Sequence, residues 1–351
     1  MPINSRPFLM IMLICLFTLS SFSQKKSALT TEKVVAAANS ECDKSTMKPA
    51  NALDMFYHEK LKKLILVNGG PERGKSATDL LELWEWKGNC WALLKPAANA
   101  PRWRNFASLA YDSKRGVMVL YGGLQSLEVQ FAETWEWDGK KWTRFDAKGP
   151  GLREAAGMTF DVKRNQILFF GGAQGDNTMG DTWAWDGKNW KLISETGPTS
   201  RFPAGFVYDS KRELTMLFGG HRFSSRGMET FGDTWMWDGK SWKESVVQNS
   251  PPKRDGGRTV FDSKRKQVVL FGGIQIGSSV NYLNDTWIWN GENWTEIKTE
   301  SPLGRGHHAM AYDSKRDRVI IFGGTRKMGE TLNDTWEWNG QQWKCLDGCE
   351  N

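Results

Sequence analysis

Histidine and cysteine are scarce in this chain of 351 residues, at 4 and 5 respectively. No histidine stands beside a cysteine at ligand spacing and no spaced histidine cluster exists, so a zinc site or other metal centre has no ligand set. Tyrosine is also rare, with 6 against 19 tryptophans. Beyond the first two dozen residues no apolar run is long enough to cross a bilayer as a helix. Neither a nucleophile elbow nor a Gly-rich dinucleotide turn occurs, which argues against α/β-hydrolase and Rossmann chemistry.

The one long apolar run, Phe8–Leu19, follows Arg6 and precedes Ser21 and Ser23. This layout is that of a secretory signal covering 1–23, with cleavage near Gln24, and it predicts a secreted or periplasmic protein. Residues 24–49 then read as a linker. Export leaves Cys42, Cys90, Cys345 and Cys349 as disulfide candidates. They sit only in or beside the first and last repeats, so they could clip a ring shut; a local Cys345–Cys349 loop is the alternative.

What the chain has in excess is tryptophan, in a fixed frame. The motif DTWAWDGKNW (181–190) has five counterparts, with first Trp residues at 84, 135, 183, 235, 287 and 336. The second Trp follows at +2 and the third at +7, and only Trp103 lies out of frame. Each motif is preceded by two β-rich runs joined by a turn such as DSKR, the second run ending in Gly-Gly. A D-G or N-G turn then separates the Trp-x-Trp strand from a last strand that starts at the third Trp. Each unit is therefore a four-stranded antiparallel meander. In the third strand, alternation puts both indoles on one face, able to pack on an adjacent sheet. Burying one such ring removes roughly 150–250 Å² from water, so six-fold recurrence assigns the tryptophans to architecture.

Six units of four strands predict an all-β protein, a six-bladed β-propeller. A strand, a strand ending in Gly-Gly, and aromatics at set distances resemble the kelch repeat, of the type in the galactose oxidase central domain and in bacterial secreted proteins. The resemblance covers 50–349, with blades at about 50–95, 103–146, 152–195, 200–246, 253–298 and 304–347. The first unit departs most, with Leu83 and Lys87 replacing Thr and Asp or Asn.

A meander places the D-to-A connections and B-to-C loops on one rim and the A-B and C-D turns on the other. The second rim carries Lys-Arg pairs at 114–115, 163–164, 211–212, 264–265 and 315–316. They read as solvated turns that account for much of the net charge of +7, and without interleaved aromatics they do not support specific nucleic-acid readout. On the first rim, Arg104, Arg153, Arg201, Arg254 and Arg305 recur ahead of strand A. An acid recurs at the start of strand C, at Glu82, Glu133, Asp181, Asp233, Asp285 and Asp334. Two readings stay open: paired guanidinium and carboxylate groups, or arginines facing an anionic ligand, which the kelch resemblance implies. The B-to-C loops are unequal and add His221, Arg222, Tyr282 and Arg326 as candidates. That asymmetry points to one off-centre site near units four to six. Of the His307–His308 pair, His308 joins the candidates, since one imidazole could enter the channel.

The expectation is a monomeric binding module for a protein or an anionic glycan, acting through the Arg-bearing rim, with no cofactor, no metal and no membrane span. The alternative, implied by resemblance to exported six-bladed kelch proteins, is a cofactor-free carbohydrate isomerase of the sialic-acid mutarotase type. A copper oxidase would need the tyrosine, histidine and crosslinked cysteine of galactose oxidase and its further domains, which this chain lacks.

Overall fold

The computed structural model describes residues 54–68, 79–95, 97, 99–225, 227–327 and 330–349. The segments expected to be a signal (1–23) and a linker (24–49), Cys42 and the first Gly pair lie outside the described residues. Among those residues there is no helix, and the strands form six four-stranded antiparallel sheets.

Blade one is β1 (Asp54–His58), β2 (Lys63–Asn68), β3 (Glu82–Trp86) and β4 (Trp91–Leu93). Blade two is β5 (Ser108–Asp112), β6 (Val117–Tyr121), β9 (Thr134–Trp137) and β10 (Trp142–Phe145), with a ribbon β7 (Leu124–Ser126) and β8 (Val129–Gln130) above it. Blade three is β11 (Gly157–Asp161), β12 (Gln166–Phe170), β15 (Thr182–Trp185) and β16 (Trp190–Ser194), with its ribbon β13 (Ala173–Gln174) and β14 (Asn177–Thr178). In blade four the ribbon merges with the blade: β17 (Gly205–Asp209), β18 (Leu214–Ser224), β19 (Gly227–Trp237) and β20 (Trp242–Glu244). Blade five is β21 (Arg258–Asp262), β22 (Gln267–Ile276), β23 (Val280–Trp289) and β24 (Trp294–Ile297). Blade six is β25 (Ala309–Asp313), β26 (Arg318–Lys327), β27 (Glu330–Trp338) and β28 (Trp343–Asp347).

The first strands touch in cyclic order, β1 to β5, β11, β17, β21 and β25, and β25 returns to β1. They therefore wall a central channel. Each sheet is built from one contiguous stretch of chain, so no strand is exchanged to close the ring.

Side chains close it instead. The third indole of a blade donates to the threonine that precedes the first indole of the blade before it. The pairs are Trp190 to Thr134 at 2.8 Å, Trp242 to Thr182 at 2.9 Å, Trp294 to Thr234 at 3.0 Å and Trp343 to Thr286 at 2.9 Å. Trp91 donates to Thr335 across the seam at 3.0 Å. Between blades one and two the threonine is Leu83, which packs with Trp142 in an apolar cluster. Second and third indoles of one blade also meet, tilted, at 5.1–5.5 Å in blades one and three to six. At the seam, Trp84, Trp86 and Trp91 pack with Ile320 and Phe322.

The disulfide reading needs correction. Cys345 pairs locally with Cys349, and Cys90 is disulfide-bonded as well, so Cys345 and Cys349 do not clip blade six to blade one. The physical reason is that they lie within one strand end: Cys345 is in β28 and Cys349 follows it after the left-handed Gly348.

The A-B turns are also more than solvated tips. Asp112, Asp161, Asp209, Asp262 and Asp313 are buried and accept the backbone N–H of the turn arginine. The same carboxylates hold the arginine side chains, at 2.5–2.7 Å in blades two to five. Arg164 and Arg265 reach on to the backbone carbonyls of Asp238 and Asn339 in the next blade's C-D turn. A Cβ on Gly239 or Gly340, both with positive φ, would collide with these guanidinium groups. The lysines of the pairs stay exposed. Blade one replaces the turn aspartate by His58, a buried imidazole whose Nδ1 lies 3.2 Å from the Tyr111 hydroxyl of blade two.

Thr234→Val, which keeps shape but leaves the Trp294 indole N–H without its acceptor, should cost about 1–3 kcal/mol. Urea unfolding of the variant checks this, and a loss below ~0.3 kcal/mol would show that the interblade bond carries no weight.

Candidate functional site

The five recurrent arginines are buried inside their blades. Arg153, Arg201, Arg254 and Arg305 grip Asp181, Asp233, Asp285 and Asp334 through two bonds each, at 2.5–2.9 Å. Arg104 makes one bond of 3.0 Å to Glu133. In all five, Nη1 also donates to the carbonyl of the first glycine of the Gly pair, at 2.9–3.4 Å. In four, Nε donates to the carbonyl two residues earlier. The same acid accepts the first indole N–H, as Asp181 does from Trp183 at 2.7 Å. Phe131 and Phe231 cover Arg104 and Arg201, with 3.8 Å from guanidinium to ring centre. Burial alone would raise the carboxyls of Glu133, Asp181 and Asp233, but the arginine and indole donors more than reverse it and hold them below the usual range. Burial brings Arg104 down to about 10, still charged at neutral pH. Of the two roles open to these arginines, the geometry provides pairing; a ligand in the channel would not meet their donors.

The channel itself holds a cavity of about 360 Å³ walled by the first strands of the blades. At the rim where those strands begin, three blades converge. His221 stands on β18 just past the Gly219–Gly220 bulge, Asp255 precedes β21, and His307 precedes β25. His221 Nδ1 lies 2.8 Å from Asp255 Oδ1, and His307 Nε2 lies 3.5 Å from Asp255 Oδ2. Arg258, the first residue of β21, and Asp54, the first of β1, also line the cavity.

Backbone geometry aims this group. His307 adopts a left-handed φ of 54°, as Phe106, Ala155 and Gly256 do at the same place in blades two, three and five, so the turn belongs to the repeat and fixes where this side chain points. Its N–H donates to the Gly256 carbonyl at 2.8 Å. Its ring lies over Gly256, where an added Cβ would come within 2.9 Å. His221 is held flat on Phe202, 4.7 Å between rings at 18°.

Burial pushes Asp255 up, but His221, His307 and the Gly256 backbone overcome it and leave the carboxyl well below its usual range. For His307, burial outweighs the pull of Asp255, and Arg258 adds to the lowering, so the neutral imidazole is favoured. Asp54 is raised by burial against the pull of Arg258. Among the described residues no set of three or more His, Cys, Asp or Glu is arranged to hold a metal ion.

Of the candidates named from sequence, His221 reaches the channel. His308 does not: it is fully buried, edge-on to Phe271 at 5.5 Å, and burial takes its pKa well below normal. The correction follows from the backbone, since the left-handed turn at 307 directs the first imidazole of the pair to the channel and the second into the blade. Arg222 and Arg326 sit on the hairpins above the rim, paired with Glu229 at 2.7 Å and Glu330 at 3.3 Å. Tyr282 is half-buried on β23 opposite Ile274. Asp255, Arg258 and Asp54 were missed. The available signal was unit five itself, where Arg254 is followed by DGGR while the other units carry NFAS, EAAG, FPAG and GHHA.

The counterpart of Asp255 in blade three, Glu154, has no such partners. Both carboxyl oxygens are buried without a hydrogen bond among the described residues, and burial lifts the group to about 7.

No family model matches the sequence. Among solved structures the chain is similar to that of YjhT, with a TM-score of 0.66 over 86% of this chain and 98% of that one. At 14% identity the likeness shows the fold alone. Among curated proteins it is similar to the dynein alpha chain of the flagellar outer arm of Chlamydomonas reinhardtii. The match is 36% identical over 99 residues, 26% of this chain and 2% of that protein; the chain thus spans a very small part of its length.

Two predictions follow from these carboxylates. Arg305→Ala strands Asp334 in a buried site and should cost roughly 3–5 kcal/mol, whereas Arg305→Met with Asp334→Leu should recover much of the loss; denaturant melts of both variants decide it. Burial lifts Glu154 to about 7 in the folded chain, from 4.5 for a solvated glutamate. Wild type therefore holds its stability from this group below ~4.5 and loses it as pH rises through 7. Glu154→Gln should be more stable than wild type at pH 8, by on the order of 1–3 kcal/mol, and the gap should close by pH 4.

Proposed function

We propose that this chain is an exported kelch-type propeller that binds an anionic sugar at the rim-side mouth of its channel. The observation that carries the reading is Asp255 held between two imidazoles from neighbouring blades, with Arg258 beside it in the channel wall. Arg258, whose Nε donates to the His308 carbonyl at 3.1 Å, brings to the channel wall the positive charge that would draw a carboxylate or sulfate. The imidazole nitrogens not turned to Asp255 supply donors and acceptors for hydroxyls. A cavity of about 360 Å³ lies in the range of small-ligand sites. The disulfides fit an oxidising compartment, in line with the signal read from the N-terminus. The structural arginines of the blades leave ligand recognition to this one asymmetric group.

A second reading is favoured by one further fact. His307 lines the cavity with Asp255 3.5 Å from its Nε2, and burial favours its neutral form, an arrangement suited to a general base. A cofactor-free isomerase acting on the anomeric centre of a sugar acid would use it so.

Calorimetric titration with glucuronic acid and N-acetylneuraminic acid tests the first reading. Binding should weaken at least ~10-fold, or ~1.4 kcal/mol, in Arg258→Ala and in His307→Ala, while Arg222→Ala on the hairpin should change it little. Absence of binding by any acidic sugar would end the proposal. Proton NMR of anomer exchange separates the two readings: acceleration that vanishes in His307→Ala supports the isomerase, and binding without acceleration supports the module.

A further inference from the structure

All six A-B turns and all six C-D turns of the rim opposite the mouth lie within the described residues. Each A-B turn holds a lysine at the same place, at Lys60, Lys114, Lys163, Lys211, Lys264 and Lys315, and all six are exposed. The arginines that follow them are taken up by carboxylates, those of Asp112, Asp161, Asp209 and Asp262 in blades two to five and of Glu337 in blade six. The lysines are left to face solvent. Lys163 pairs with Glu213 and Lys264 lies 3.7 Å from Asp317, whereas Lys114, Lys211 and Lys315 form no ion pair among the described residues. Their turns are held in place. In blades two, four and six the turn aspartate accepts the lysine N–H as well as the arginine N–H. In blades three and five the lysine N–H donates instead to the Tyr208 or Tyr312 hydroxyl of the next blade, so these rings are tied between blades and not presented to stack on a base. One turn departs from the rest. Ser113, Ser210, Ser263 and Ser314 precede the lysine in four blades, but in blade three that residue is Val162, 38% exposed.

We infer that this turn face docks on a bilayer surface carrying anionic lipid headgroups, with the channel mouth turned away from it. A lysine ammonium is a strongly hydrated point charge that orders no single phosphate by itself, but such charges sum when many anions are displayed together on a membrane surface. Geometry favours a plane over a thread. The lysines follow the circumference of the channel, so a linear polyanion would meet only a few of them at once, whereas a flat surface meets the whole ring. An apolar side chain set among lysines suits the boundary between headgroups and acyl chains, and Val162 supplies one. The C-D turns do not reverse the sign of the ring. Their acids in blades two to four, Asp138, Asp186 and Asp238, stand further from the channel axis, and each has a lysine two residues on, at 140, 188 and 240. Because it uses the rim opposite the acidic-sugar mouth, the inference is independent of that reading.

Co-sedimentation of the full chain with vesicles tests it, using phosphatidylcholine alone and an equal mixture of phosphatidylcholine and phosphatidylglycerol. The chain should bind the mixture and not the neutral vesicles. Added salt should release it, because exposed charges are screened beyond roughly 10 Å at 0.1 M. A lysine near an anionic surface contributes about fivefold in affinity, so Lys114→Gln with Lys211→Gln and Lys315→Gln should weaken binding ~100-fold. A second triple variant, Lys95→Gln with Lys148→Gln and Lys253→Gln, removes the same charge from exposed positions on the D-to-A connections of the other rim and should bind as wild type does. Any pull from the apolar run at 8–19 is common to all three proteins and cancels. Thermal melts check that both variants fold, and Lys211→Gln alone, with an expected loss of about fivefold, serves if a triple variant does not. Equal loss in both triple variants, equal binding to neutral vesicles, or no binding to either vesicle overturns the inference. Capture by heparin or duplex DNA with none by the anionic vesicles overturns it as well, by assigning the ring to a polymer.

Discussion

A guanidinium with its donors engaged inside the blade is what most of this structure depends on. Arg201 joins the strand A entrance of its blade to the strand C entrance through Asp233, to the Gly219 carbonyl at the end of strand B, and to Phe231 above. Asp233 in turn receives the Trp235 indole. One buried charge pair thus sets where three strands start or stop, and it repeats in five blades. Such a pair adds little net stability over an apolar substitute because desolvation offsets attraction. What it adds is geometry: bidentate pairing and directed indole bonds permit one arrangement of the strand ends, where apolar packing alone would permit several.

With the strand ends located, the ring follows from the threonine-to-indole bonds between blades. Five of six interfaces carry that bond, and the sixth substitutes Leu83 packed on Trp142. The same interface replaces the turn aspartate by His58, whose imidazole burial keeps neutral. Departures from the repeat fall into two groups. Those in blade one change how sheets are joined. Those at the rim of blades four to six, at His221, Asp255, Arg258 and His307, put ionisable groups into a channel whose other walls, Asp54 apart, are uncharged. Symmetry supplies the scaffold, and each break in it marks either a joint or a site.

Much of the fold was legible because it repeats. Trp at +2 and +7, the Gly pair and the D-G turn each have a local physical meaning, and six copies in register remove ambiguity that one copy would leave. The pairing of arginines with acids was legible as one of two readings, since the meander brings the starts of strands A and C to one rim. What was not legible was direction. Sequence placed two histidines side by side but not which would face the channel, because that depends on a left-handed turn shared with Phe106, Ala155 and Gly256 that residue types alone do not display. Asp255 was hidden by its neighbours: beside a recurrent arginine, an extra acid reads as surface charge. Its role emerges only when His221, 34 positions earlier, and His307, 52 later, arrive from adjacent blades. The local Cys345–Cys349 bond was open for a similar reason, since four cysteines at two chain regions allow several pairings.

Six sheets set in a row would have two bare flanks, and a row loosens from its flanks inward. Bending the row until blade six meets blade one gives every sheet two partners and leaves no flank. The lifetime of such a hoop is governed by its least secure joint, since parting any one of them turns the hoop back into a row. By that measure the joint built on Leu83 and His58, and the one held by Trp91 and Thr335, matter more to the persistence of the whole than the four tightly repeated joints between them.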